Sequence, residues 1–102
     1  MELGIKDRIA LQRILPKEGN MVTLRLVREL RENLEFTPEE IKQLKIEFSA
    51  LGVKWDPEQS DYVADIDINE HNEPIIKQAL RELDRQNKLP AMAMDLWDLF
   101  VK

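Results

Sequence analysis

Seven side chains with metal-binding or proton-carrying atoms fall within thirteen positions: Asp61, Asp65, Asp67, Asn69, Glu70, His71 and Glu73. Asp65-x-Asp67-x-Asn69 matches the opening of a calcium loop, in which alternate oxygens turn toward one cation. The remainder departs from that pattern. Glu70 stands where a glycine would permit the sharp turn, and Ile76 stands where a bidentate glutamate would close the shell. Ile66 and Ile68 between the acids equally suit a strand with one solvated face that runs into an acidic helix start. A weak divalent-cation site is the alternative reading.

Other chemistry is thinly supplied. His71 is the only histidine and there is no cysteine, which excludes multi-histidine zinc sites, thiolate ligands, disulfides and cysteine nucleophiles. Ser49 and Ser60 lack a glycine-rich elbow, and Gly4, Gly19 and Gly52 are too sparse to cradle a phosphate. No catalytic or cofactor-binding residue is assigned, and a non-enzymatic protein is expected.

Charge offers a better lead. The chain of 102 residues has a net charge of -5, yet residues 1–34 hold seven Lys/Arg against five Asp/Glu, which leaves +2 there and -7 beyond. Arg25, Arg28 and Arg31 recur every three residues, a spacing that can follow a phosphate backbone. Glu29 and Glu32 lie four residues after Arg25 and Arg28, so i,i+4 pairing would instead make this a solvated face. A DNA-binding regulator is the alternative function.

The last segment carries the leading reading. Met92, Met94, Leu96, Trp97, Leu99 and Phe100 surround almost the whole circumference of a helix, more than one intramolecular face buries. Docking of a partner protein, or self-association into a homo-oligomer, is expected there. The competing reading is a tail helix folded into its own core.

The elements that must position these groups follow from periodicity. Ile5, Ile9, Leu11, Ile14 and Leu15 predict a helix over 4–15, stopped by Pro16. Asn20 caps a second over 21–34, striped by Leu26, Val27, Leu30 and Leu34. Thr37-Pro38-Glu39-Glu40 starts a short helix over 38–44, with a threonine cap, a first-turn proline and acids at the positive dipole end. The period then falls to two. Leu44, Ile46 and Phe48, then Leu51, Val53 and Trp55, then Tyr62, Ala64, Ile66 and Ile68 predict three strands of a small antiparallel meander. Asn72 is expected to cap a helix over 73–88 on Ile75, Ile76, Ala79, Leu80 and Leu83; Pro90 closes it, and a last helix covers 92–101.

The expected fold class is therefore α+β: two N-terminal helices and a short third, a three-stranded meander, then two C-terminal helices packed on one face of the sheet. Its inner face would be Ile46, Phe48, Val53, Trp55, Tyr62, Ile66 and Ile68. With 43% hydrophobic residues the chain suffices for a single domain over 1–102. Charges interrupt the N-terminal apolar residues, and no apolar run nears the roughly 20 residues of a spanning helix. A soluble cytoplasmic protein, with no membrane partner, is expected.

Ile9-Ala10-Leu11-Gln12-Arg13-Ile14-Leu15-Pro16-Lys17-Glu18-Gly19-Asn20, with Thr23-Leu24-Arg25-Leu26-Val27-Arg28-Glu29-Leu30 and Phe36-Thr37-Pro38-Glu39-Glu40, resembles a group of small proteins of phage and prophage genomes. The resemblance runs on through Trp55, Ile66 to Ile68 and Ala79-Leu80-Arg81-Glu82-Leu83-Asp84. It implies a phage or integrated element in a bacterial host cell, and it implies no activity and no site residue.

Overall fold

The computed structural model describes residues 1–101. Where local bonds decide an element, expectation and structure agree closely. Helix α1 spans Ile5–Ile14, α2 Met21–Leu34 and α3 Pro38–Leu44. The Asn20 Oδ1 accepts from the Thr23 N–H at 2.9 Å, filling one orphan donor of α2. Thr37 and Glu40 form a reciprocal capping box, Thr37 N to Glu40 Oε1 at 2.9 Å and Glu40 N to Thr37 Oγ1 at 3.1 Å. Lys45, in the left-handed region at φ 55°, ends α3.

The sheet differs from the expected meander. Strand β1, Glu2–Gly4, precedes α1; β2, Glu47–Ser49, and β3, Gly52–Lys54, form a hairpin; β4 is Val63–Asp65. Two separate two-stranded antiparallel sheets result, β1 with β4 and β2 with β3. Asp56 accepts from Glu58 N at 3.0 Å and starts a 3-10 turn over Pro57–Gln59 that carries the chain away from β3. The N-terminal segment takes β4 instead. Leu3 lies opposite Ala64, the Met1 amine donates to Asp65 Oδ1 at 2.7 Å and to the Ile66 carbonyl at 3.0 Å, and Ile66 N donates to the Met1 carbonyl at 2.8 Å.

Beyond β4, α4 spans Glu73–Arg85, and a 3-10 turn over Ala91–Ala93 leads into α5, Met94–Phe100. Asn72 precedes α4 without capping it through its side chain. Its Oδ1 accepts from Asn69 N at 2.8 Å, while Asn69 Oδ1 accepts from Asn72 N at 3.0 Å, so the two close a turn between them.

The helices gather on α1 rather than on a sheet face, which corrects the expected layering. Leu3, Ala10, Leu11, Ile14 and Leu15 meet Val27, Leu30 and Leu34 of α2, Ile76 and Leu80 of α4, and Leu96 and Phe100 of α5. Ile66 joins this cluster, with Ile68 at its margin. A second, smaller cluster unites Ile5, Leu44 and Ile46, with Ile9, Phe36, Val53, Trp55 and Tyr62 against it. A two-stranded hairpin is marginal alone, so β2–β3 depends on this second cluster for its place.

Candidate functional site

The two clusters are joined through a buried arginine. Arg8 falls three residues from both Ile5 and Leu11, so helical geometry carries its side chain inward, and it is 2% exposed. A charge so placed requires a partner for every donor. Its Nε donates to the Leu34 carbonyl at 3.2 Å and Nη2 to the Glu35 carbonyl at 2.7 Å. Nη1 and Nη2 reach Glu40 Oε2 and Oε1 at 2.7 and 3.2 Å, a bidentate fork. Tyr62 donates its hydroxyl to Glu40 Oε2 at 2.7 Å. The Arg8 hydrogen bonds hold the Glu40 carboxyl at about 2, against the opposing effect of burial and with help from the Thr37 N–H and Tyr62. The bond to Glu40, and then burial, push the Tyr62 hydroxyl upward. A carboxylate driven that far down is a poor proton carrier near neutrality, so this hub ties α1, α2, α3 and the approach to β4 together.

Above the hub lies an open groove of about 420 Å3. The ring of Phe36 stacks on the Arg8 guanidinium, 4.1 Å from Cζ to centroid, and also lines the groove. Ile9 of α1 completes the apolar floor, and Phe48 and Val53 form the hairpin wall. Phe48 pairs across the strands with Val53, which puts both on the face that carries Ile46 and Trp55. The base of that face is covered and its tip is not. Ile46 is buried while Phe48 is 62% exposed, a correction to the expectation that helices cover Phe48. Leu51, at 93%, caps the hairpin turn beside Gly52, whose φ of 128° suits glycine alone. Gln12, Arg13 and Glu35 supply the polar rim.

The expected site residues divide. Leu96 and Phe100 are buried in the core, Met92 and Trp97 pack at its margin, and Met94 and Leu99 remain 66% and 46% exposed. Met92 lies beside the groove's rim, its Sδ 3.6 Å from Arg13 Nη1. In α2, Arg25 and Arg28 are exposed, and no ion pair joins them to Glu29 or Glu32 among the described residues. Arg31 is otherwise engaged. Its guanidinium donates to the Gln12 carbonyl at 3.0 Å, to Gln12 Oε1 at 3.2 Å and to the Leu15 carbonyl at 3.4 Å, tying α2 to α1.

Asp65 is bound by the N-terminal amine, and Asn69 Oδ1 is held in its turn by the His71 and Asn72 N–H groups. Among the described residues no three His, Cys, Asp or Glu side chains converge as a metal centre requires. Nor is any helix there long and apolar enough to cross a membrane.

Reading periodicity alone missed Arg8, Glu40, Tyr62 and the groove. The available signal was a charge inside an apolar stripe, Arg8 between Ile5 and Leu11. The uncovered hairpin tip had no such signal, because an alternating strand reads the same whether or not a helix covers it. Comparison of the chain with protein-family models, with curated proteins and with solved structures finds no match in any of the three.

Proposed function

We propose that the protein acts without catalysis, as a phage or prophage accessory protein that docks another polypeptide in the groove between α1 and the β2–β3 hairpin. The observation that carries this reading is Phe48, exposed on the hairpin face that its alternation directs inward. Aromatic anchors beside an apolar floor and a polar rim are the composition of a binding centre. Phe36 is braced from below by Arg8, so the floor is preorganised and little ordering accompanies docking.

Selection from a displayed random-peptide library tests this. Peptides with a large apolar anchor are expected to bind the full chain and to bind Phe48→Glu at least about tenfold more weakly. No enrichment, or equal binding to both, overturns the reading.

A second reading is DNA binding, favoured by the exposed and unpaired Arg25 and Arg28 and by a hairpin that directly follows α3 in the manner of a wing. Glu29 and Glu32 on the same helix and the engagement of Arg31 weigh against it. In a low-salt gel-shift titration this reading requires a shift that Arg25→Gln with Arg28→Gln reduces.

A further inference from the structure

The apolar face of α4 is wider than the core that receives it. Ile76 and Leu80 are fully buried, whereas Ile75, Ala79 and Leu83, spaced four residues apart along one edge of that face, are only half-buried. Opposite this edge the chain leaves α1 at Ile14, turns at Pro16 and enters α2 through Gly19 and Asn20. Between the two lies a cleft of about 390 Å3, which shares no residue with the groove over Arg8. Its size is that of a small-molecule site, and Ile14, Pro16, Ile75, Ala79 and Leu83 give it an apolar floor.

The rim is polar and its charge has one sign. Asn20, Thr23 and Gln78 are neutral, Glu18 and Glu82 are carboxylates, and no lysine, arginine or histidine lines the cleft. Glu18 forms no ion pair among the described residues. Glu82 accepts from Arg85 Nη2 at 2.7 Å and from Gln86 Nε2 at 2.8 Å, bonds that hold its carboxyl below the usual carboxylate range. Arg85 offsets that charge only in part, because the pair is exposed. It lines the next depression along α4, with Lys77 and Arg81, and not this one.

An apolar floor under two carboxylates, with no cation in the lining, suits a ligand that is itself apolar and positively charged. The net charge of -7 beyond residue 34 acts in the same sense at longer range. We propose that this cleft binds a small organic cation, its apolar body on Ile75, Ala79 and Leu83 and its ammonium or guanidinium group between Glu18 and Glu82. The Thr23 hydroxyl and the Gln78 amide oxygen can accept its remaining N–H bonds. This site is independent of polypeptide docking in the groove over Arg8.

Amide NMR titration of the full chain tests the proposal, with phenethylamine as the probe and phenylethanol and phenylpropionate as its neutral and anionic counterparts. Phenethylamine is expected to give saturable shifts at the Thr23, Gln78 and Ala79 amides and to bind at least about tenfold more tightly than phenylpropionate. Glu18→Gln, at an exposed position, should weaken phenethylamine about threefold and leave phenylethanol unchanged. Glu18→Gln with Glu82→Gln should bring the amine level with the alcohol. Ala79→Leu fills the floor and should remove binding of all three probes. Circular dichroism matching the unsubstituted chain establishes that each variant is folded, and the two glutamine variants decide the matter if Ala79→Leu is not. No saturable shift with phenethylamine, shifts that gather at Phe36 and Phe48 instead, or equal affinity for the amine and phenylpropionate overturns the proposal.

Discussion

The Arg8–Glu40–Tyr62 hub and the tip of the β2–β3 hairpin lie on two sides of Phe36 and invert the usual distribution of polar and apolar groups. In the hub a full charge is buried and all three guanidinium nitrogens are hydrogen-bonded, to two carbonyls and a bidentate carboxylate. At the tip, aromatic and aliphatic side chains built for an interior stand in water. A buried ion pair is seldom favoured over an apolar core of the same shape, so the hub acts mainly to hold three helices and the Tyr62 segment in one arrangement. An uncovered apolar tip contributes little to folding and is available for a contact. The buried charge and the exposed apolar tip are thus separated in space, with Phe36 shared between them.

That separation predicts a descending series of effects. Removing one partner of the buried pair should be the most damaging: Arg8→Ala strands the Glu40 carboxylate and should cost about 3–5 kcal/mol in denaturant unfolding. Arg8→Met combined with Glu40→Leu should recover most of that loss, since no charge is then left alone. Failure of the double variant to recover would show that the hub is required for more than charge compensation.

Acid unfolding comes next. The folded-state value of Glu40, about 2, is below its unfolded 4.5. The pair's stabilisation is therefore complete above pH 4.5 and is lost as pH falls toward 2, on the order of 3 kcal/mol in all. Glu40→Gln should flatten that part of the pH profile, and an unchanged profile would place the acid-sensitive group elsewhere.

A smaller effect is expected from Tyr62→Phe, about 1 kcal/mol for a partly exposed bond to a charged acceptor. Because the Tyr62 hydroxyl is raised above its ordinary 10.0, its contribution is present below pH 10 and fades as pH climbs through the folded value. The variant should lack this alkaline decline. The least change in stability is expected at the tip, where Phe48→Ser should alter it by no more than about 0.5 kcal/mol while removing docking. A loss of several kcal/mol at Phe48 would erase the contrast between the regions.

Legibility follows the range of the deciding interaction. Asn20 with Thr23, and Thr37 with Glu40, bond over three residues, so α2 and α3 could be placed from neighbouring letters. The pairing of Leu3 with Ala64 joins residues some sixty positions apart, and nothing near either one marks it. The partners that bury Arg8 come from the end of α2 and from α3, far along the chain, and the groove is defined by what fails to cover Phe48.

Composition and pattern by themselves determined an α+β chain without cysteine chemistry, three N-terminal helices, two of them with their caps, the alternating faces of the strands and a last helix that is apolar around most of its circumference. Only the tertiary structure decided that the strands divide into two sheets, that α1 rather than a sheet is the packing centre, that Leu96 and Phe100 turn inward while Met94 and Leu99 do not, and that Arg8 is buried. The physical reason is that periodicity specifies which residues share a face. Whether that face meets another element, a counter-charge or water depends on contacts between segments distant in the chain.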